Sequence, residues 1–160
     1  MENKKFTVTD DLLASNGQRF LNLTIDLFVQ YIIGLSIWAT LNIIAQITNN
    51  DGLYNWVGFT DRMIQFLFGM SILIFYYGIT ELYFSRTIAK YFTKTLVVMR
   101  NGSKPNAKTI IQRTLCRLIP FEAFTFLGKR SRGWHDSFSH TYVVRKHRFI
   151  EKKNLSDSID

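Results

Sequence analysis

Two long stretches of the chain carry no charged residue, and they decide the predicted fold. Residues 27–50 contain no Asp, Glu, Lys or Arg, a run of 24, and residues 63–80 form a second such run of 18. A helix that crosses the hydrocarbon core of a bilayer needs about 20 mostly apolar residues. Residues 82–84 prolong the second run past Glu81. The pattern therefore predicts two transmembrane helices, over about residues 20–47 and 63–84.

Two buried helices of a soluble protein are the alternative interpretation of these runs. A soluble chain of 160 residues would have to cover both helices with amphipathic partners, and the rest of this chain is too short and too charged for that. A cleaved signal peptide fits poorly, because the first apolar run starts near residue 20 and is too long.

A third apolar segment, residues 109–127, also carries Arg113, Arg117 and Glu122. We predict a third helix over about residues 107–128, kinked at Pro120, because proline breaks the hydrogen-bond ladder of a helix. Three placements remain open: an interfacial or re-entrant helix, a full third crossing, or a soluble amphipathic helix. We favour the first, since a full crossing would move the basic C-terminal tail to the outside, against the positive-inside rule.

Two short β-branched runs, residues 95–99 and 141–144, are typical of strands, and the turn sequence Arg-Asn-Gly-Ser follows the first. They could pair with each other on the cytoplasmic side. The predicted fold class is thus an all-α membrane protein with a small two-stranded β element. We divide the chain into an N-terminal segment (1–18), a membrane domain (19–145) and a C-terminal tail (146–160), basic at first and flexible and frayed at the end.

Composition and charge place these segments relative to the membrane. Hydrophobic residues make up 47% of the chain and the formal net charge is +8, although the mean hydropathy is only +0.01. Residues 85–118 carry eight basic residues and no acidic one, whereas the connector 46–61 has no Lys or Arg. The positive-inside rule predicts a multi-pass protein of the inner (cytoplasmic) membrane. Its N-terminus, with Lys4 and Lys5, is then cytoplasmic, and the connector faces outward.

The basic surplus also bears on partners. Because these residues lie beside membrane spans, anionic lipid headgroups are the expected partner, and nucleic acid is not expected. The single Cys excludes a disulfide scaffold and a Cys-based zinc module.

Charged residues next to the predicted spans need a specific reason, because charge is costly in a membrane. Arg19 and Asp26 are seven residues apart, so they share one face of the first helix, with Asn22 between them. Since the two helices run antiparallel, Asp26 and Glu81 fall at similar depth and could share a site. Three interpretations stay open: a proton- or cation-binding cluster, structural pairing of Arg with carboxylates, and side chains that simply reach the interface.

Other candidate chemistry is weak. Two like charges in a low dielectric would need balancing by a cation, or by Arg113 and Arg117. His135 and His140 have no metal-ligand spacing, and Cys116 lies on an apolar helix face. The sequence carries no phosphate-binding, nucleophile-elbow, zinc-protease or dinucleotide motif, so we expect no enzymatic activity, no metal and no cofactor.

Several stretches of the sequence resemble, in order, the motifs of the RDD family of small prokaryotic membrane proteins, named for one Arg and two Asp. Arg19, Asp26 and Asp136 correspond to these three residues. The resemblance covers about residues 19–145. The stretches are RFLNLTID (19–26), SRTIAKYFTKTLVV (85–98), RNGSKP (100–105), RTLCRLIPF (113–121) and RGWHDSFSHTYVV (132–144).

The chain departs from the family pattern at a few positions. Asn22 stands where a small residue is commoner, Ala89 where Gly is frequent, and Ser139-His140 where an Ala-Gly pair is usual. The last two departures loosen the tight packing that the family pattern implies.

The resemblance implies an integral membrane protein for which transport has been suggested, with some members similar to cation/proton antiporters. Our functional hypothesis is an oligomeric, proton-coupled transporter of small cations or solutes, since two or three helices cannot easily enclose a pathway without homo-oligomerisation. Asp26 would bind the proton or cation, Arg19 would set its pKa by charge, and Asp136 would gate or counter it, with Glu81 as a further member. The alternative is a non-transporting membrane interaction or assembly protein, in which these residues form structural ion pairs.

Overall fold

The computed structural model describes residues 6–58, 61–127 and 132–158. Lys4 and Lys5, the predicted end of the third helix at residue 128 and the last two residues of the tail lie outside these ranges. The helices and strands are α1 (Asn16–Ile47), α2 (Asp51–Gly58), α3 (Arg62–Phe84), α4 (Ile88–Phe92), β1 (Thr95–Met99), α5 (Ala107–Cys116), α6 (Trp134–Phe138), β2 (Thr141–Arg145) and α7 (Lys146–Asp157), with short 3-10 helices at Asp10–Leu12 and Glu122–Leu127.

Helices α1 and α3 form an antiparallel hairpin, joined through the short helix α2. Their most apolar 18-residue stretches have mean hydropathies of 1.8 and 1.6, yet only 6% and 11% of those stretches is buried. The core helix of a soluble protein would be mostly buried, so these apolar surfaces are suited to lipid. The predicted fold class is confirmed: a mostly helical membrane protein with two helices that can span a bilayer and a small sheet.

The start of α1 is fixed by a capping box. The Ser15 hydroxyl accepts a hydrogen bond from the Gln18 N–H (3.2 Å), and the Gln18 side chain accepts one from the Ser15 N–H (3.1 Å). Two otherwise unpaired donors of the helix end are thereby satisfied. The helix therefore begins three residues before Arg19 and presents it in its first turn.

The remaining described residues form a second layer at one end of the hairpin, which we call the cap (residues 6–15, 85–127 and 132–158). Strands β1 and β2 pair antiparallel, with Thr95 opposite Arg145 and Met99 opposite Thr141, which confirms the predicted pairing. The turn after β1 depends on Gly102, whose φ of +76° suits glycine and whose added Cβ would lie 2.8 Å from the Phe6 ring. Strand pairing closes the chain between β1 and β2 into a loop that holds α5 and α6.

The predicted third helix is shorter than expected. Helix α5 ends at Cys116, and turns lead to the 3-10 helix at Glu122–Leu127. The cause is Pro120: its ring would clash with the carbonyl of Cys116, four residues earlier, in a continuous helix. At about 1.5 Å per residue, the ten residues of α5 extend about 15 Å, half of the ~30 Å hydrocarbon core.

The C-terminal segment forms a helix that packs against the sheet. Helix α7 runs as far as Asp157, whereas the sequence suggested fraying from Asn154. Phe149 on α7 is 6% exposed and joins a core with Leu12, Val98 and Val144. This burial packs the tail against the sheet. The sequence did not predict it, because α7 is mostly polar and a single phenylalanine gives no clear apolar face.

Candidate functional site

One face of α1 carries three buried polar side chains towards the cap: Arg19, Asn22 and Asp26. Their spacing of three and four residues places them on successive turns of the same helix face. Asn22 accepts a hydrogen bond from the Thr93 hydroxyl (2.6 Å) and donates to the Thr95 hydroxyl (3.3 Å). The face predicted from the sequence is therefore the one on which the cap sits.

Asp136, on α6, is fully buried and lies between two arginines. Nη2 of Arg19 donates to one of its carboxylate oxygens and Nη1 of Arg113 to the other. Burial raises the pKa of Asp136, but the positive charges of Arg19, His135 and Arg113 outweigh it and hold this pKa well below its usual range. The carboxylate is thus a charged link between α1 and α5.

Glu81, near the end of α3, is fully buried and receives three cations. Its Oε1 accepts from Lys90 Nζ (3.1 Å) and Arg117 Nη2 (2.8 Å), and its Oε2 accepts from Arg113 Nε (3.0 Å). The Arg117 guanidinium also lies 3.9 Å from the centre of the Tyr77 ring, a cation–π contact. Glu81 therefore fastens α4 and α5 to the hairpin.

These contacts join into one cluster, which we call the charge network: Arg19, Glu81, Lys90, Arg113, Arg117 and Asp136. Arg113 connects its two carboxylates. Burial lowers the pKa of Arg113, but the charges of Glu81 and Asp136 more than compensate and raise it. Burial lowers the pKa of Lys90, which Glu81 only partly opposes. Such a network is stable while every member keeps its partner.

Asp26 is buried, at 1% exposure, but its environment differs from those of Asp136 and Glu81. It accepts hydrogen bonds from the Tyr76 hydroxyl (2.6 Å), the Thr87 hydroxyl (2.7 Å) and the Ala89 N–H (3.3 Å). All three donors are neutral. Within the described ranges, no Lys, Arg or His forms an ion pair with this carboxylate.

Asp26 is nevertheless coupled to the charge network through α4. Lys90 Nζ lies 3.5 Å from the Thr87 hydroxyl oxygen, which itself donates to Asp26. The negative charge of Asp26 acts on Lys90 and favours its protonated form. The two carboxylates that the sequence placed at similar depth, Asp26 and Glu81, therefore both act on Lys90.

A cavity of about 440 Å³ lies between α1, α3 and the segment after α5. Asp26, Lys90 and Arg117 line its charged end, and apolar side chains such as Leu27 and Met70 line the remainder. Its volume falls within the ~300–1,000 Å³ of small-molecule sites. Asp26 is thus a buried residue in the wall of this cavity.

Glu122 and His135 form a second polar group at the edge of the cavity. Oε1 of Glu122 lies 2.5 Å from Nδ1 of His135, and it accepts from the His135 N–H (3.1 Å). Burial lowers the pKa of His135, which Asp136 partly opposes. Among the described residues, no group of three or more His, Cys, Asp or Glu side chains is arranged to hold a metal ion.

Comparison with known protein families gives one match. The model described as RDD family matches residues 13–140, which is most of the chain. The chain belongs to the RDD family. RDD proteins are membrane proteins, in agreement with the two exposed apolar helices. No curated protein and no solved structure matches the chain.

The RDD residues do not meet at one point. Arg19 pairs with Asp136, whereas the sequence hypothesis set Arg19 against Asp26. Arg113 and Arg117, expected as supporting charges, both bind Glu81. The three signature residues of this RDD chain thus divide into an ion pair and a separate carboxylate.

Sequence reasoning missed Lys90, Thr87 and Tyr76 as members of the site. A signal for each was present. Glu81 in a membrane helix requires a nearby cation, and Lys90 follows soon after the helix ends. Tyr76 carries a hydroxyl within an apolar span, where it needs a polar partner.

Proposed function

We propose that this RDD protein is a homo-oligomeric transporter of small cations or solutes coupled to protons, and that Asp26 is the carboxylate that binds the proton or cation. One observation carries the proposal: Asp26 is buried among the residues that line the cavity and, within the described part of the chain, accepts hydrogen bonds from neutral donors only. A carboxylate without a fixed counter-charge can exchange a proton for a cation with less disruption than one locked between arginines.

The homo-oligomer is part of the proposal. Two of the described helices are long and apolar enough to span a bilayer, and two helices cannot enclose a pathway. A second copy would supply the missing wall. The charge network then holds the cap on the hairpin, with Arg19 and Asp136 as a structural pair and Glu81 as the anchor of α4 and α5.

We further propose an inner-membrane location with the N-terminus and cap in the cytoplasm and α2 outside. The support is the asymmetry of basic residues across the hairpin. Single cysteines in a Cys116→Ser background test it: Asn55→Cys on α2 and Asn101→Cys in the cap. We expect a membrane-impermeant maleimide to label only Asn55→Cys in spheroplasts and both in lysed cells. If only Asn101→Cys were labelled in intact spheroplasts, the topology would be the opposite of the one proposed.

Anionic lipid headgroups are the partners we propose for the basic residues of the cap. The support is the run of eight basic residues without an acidic one over residues 85–118, at the end of the hairpin where the cap lies. We propose no enzymatic role and no nucleic-acid partner.

Flux measurement tests the transport proposal. Purified protein in liposomes that contain a pH indicator should move protons in response to an imposed Na⁺ or K⁺ gradient. Asp26→Asn should abolish this movement while the protein keeps its oligomeric state on gel filtration. Asp51→Asn, on the exposed helix α2, is the matched control and should transport like the wild type. Wild-type protein without flux, or an active Asp26→Asn variant, would reject the proposal.

The second candidate is a non-transporting interaction or assembly protein. The observation that favours it is the charge network, in which each carboxylate has at least two cationic partners and serves to fix the cap to the hairpin. Two results together would support this second candidate over transport. Liposomes with the wild-type protein would show no ion flux, and the Asp136→Asn variant would lose a stable complex that the wild type forms.

A further inference from the structure

The cavity beside Asp26 is long and apolar over most of its length. Along α3 its lining extends from Phe66 to Tyr77, which at ~1.5 Å per residue is about 16 Å. Leu27 on α1 and Met70 and Leu73 on α3 face the same space. A space of this length and character matches an extended hydrocarbon chain better than a hydrated ion.

The other end of the cavity is lined by charged side chains. Arg19, Lys90 and Arg117 line it, against the carboxylates of Asp26 and Glu122. Glu81 and Asp136, which do not line the cavity, also pair with these three cations, so an anion here would be held by unused hydrogen-bond donors and not by an uncompensated charge. His135 lies at the same end, but its ring nitrogen Nδ1 is already paired with Glu122.

Two of these cations keep an unused hydrogen-bond donor. Arg19 Nε and Arg117 Nη1 are buried and have no acceptor among the described residues. The two side chains are only 5% and 8% exposed. Buried N–H groups without a partner are rare, and each needs an explanation. A carboxylate or phosphate is the acceptor that a guanidinium binds best.

We propose that this cavity binds an amphiphile with a single acyl chain and an anionic head group. The head lies at the end formed by Arg19, Lys90 and Arg117, and the chain runs along Leu27 and Met70 towards Phe66. Because α1 and α3 present apolar faces suited to lipid, such a molecule could enter the cavity from the membrane. The site does not depend on cation transport, because it rests on the shape and donors of the cavity alone.

Native mass spectrometry of the purified full-length protein in detergent tests the site with three probes: palmitate, 1-palmitoyl lysophosphatidate and the neutral hexadecanol. We expect at least one anionic probe to bind about tenfold or more tightly than hexadecanol. The tighter of palmitate and lysophosphatidate identifies a carboxylate or a phosphate as the preferred head. Hexadecanol binding as tight as both anionic probes, or no binding of any probe, would overturn the proposal.

Matched variants locate the bound molecule. Leu27 and Leu35 are both about half exposed on α1, at 53% and 47%, but only Leu27 lines the cavity. Leu27→Trp should weaken binding of the anionic probe about tenfold, and Leu35→Trp should leave it unchanged. An equal loss in both variants would place the amphiphile elsewhere and overturn the site.

A head-group variant separates the polar contribution. Arg117→Gln should reduce the preference for the anionic probe over hexadecanol, while hexadecanol still binds. If this variant fails to fold, the tryptophan pair alone decides the matter. The readout is bound mass and not ion flux, so a negative result here is distinguishable from failure of the transport proposal.

Discussion

Asp26 and Asp136 are two buried acids of the same family signature, held in opposite ways. Asp136 lies between the guanidinium groups of Arg19 and Arg113, whereas Asp26 accepts from two hydroxyls and one backbone N–H. Removing the charge of Asp136 leaves Arg19 without its ion-pair partner and Arg113 with Glu81 alone. Removing the charge of Asp26 breaks no ion pair within the described ranges. The difference teaches that burial of a carboxylate alone does not reveal its role, and that the charge state of its donors is the better guide.

The largest expected effect that tests this comparison is the loss of the Asp136 charge. Asp136→Asn leaves Arg19 and Arg113 buried without a full counter-charge, which costs about 3–5 kcal/mol. Thermal unfolding and gel filtration in detergent should show a strongly destabilised or aggregated protein. Asp51→Asn on exposed α2 is the control and should change stability by less than about 0.5 kcal/mol. A normally stable Asp136→Asn protein would show that the arginines are satisfied in another way.

The contrast also shows what the sequence can and cannot predict. Hydropathy and spacing predicted both spans, the strand pair and the shared face of Arg19 and Asp26, because each depends on residues close together in the chain. The partner of Arg19 lies 117 residues away. The β1–β2 pairing and the packing of α6 bring the two residues together. A periodic sequence pattern does not encode the geometry of either.

Acid should remove the stabilisation by Asp136 as well. Its pKa is lowered in the folded protein, so the unfolded chain binds the proton more readily. The contribution is therefore fully present above the ordinary Asp pKa of 3.8 and is lost as pH falls through the lower folded value. Unfolding temperatures measured from pH 7 to pH 3 should drop at the acid end.

Where enough folded Asp136→Asn protein is recovered for the same measurement, a less steep acid drop in this variant would assign the effect to Asp136. The pKa of Glu122 is also lowered, because the hydrogen bonds from His135 outweigh the effect of burial, so part of the drop should remain. An identical acid profile in both proteins would contradict the assignment.

Asp26→Asn should be tolerated much better. The Asn carbonyl can still accept from Tyr76 and Ala89, and the Thr87 hydroxyl can accept from the new amide. We expect a loss of about 1–2 kcal/mol, smaller than the about 3–5 kcal/mol for Asp136→Asn, in the same unfolding measurement. An equal loss for the two variants would remove the distinction between a structural and an exchangeable carboxylate.

A smaller change probes the donors of Asp26 one at a time. Tyr76→Phe removes the hydroxyl that donates to Asp26 at 2.6 Å and should cost about 1 kcal/mol. In an Asp26→Asn background the cost should shrink, because the bond to a charged acceptor is then already gone. Tyr77→Phe is the neighbouring control and should show no such coupling. Additive effects of Tyr76→Phe and Asp26→Asn would mean that the hydroxyl acts independently of the carboxylate.

The smallest expected effect is the relief of backbone strain, and it should be equal near Asp26 and near Asp136. Ser85 (φ 56°) precedes the donors of Asp26, and His140 (φ 52°) precedes Thr141 beside Asp136. A left-handed conformation costs a non-glycine residue about 1–2 kcal/mol, from which the entropy that glycine loses on folding, about 0.5–1 kcal/mol, must be subtracted. Ser85→Gly and His140→Gly should therefore each stabilise the protein by about 0.5 kcal/mol in thermal unfolding. Because this strain belongs to the backbone, it is independent of how the nearby carboxylate is paired. A clearly larger gain at His140 than at Ser85 would mean that its imidazole also disturbs the arginine cluster around Asp136.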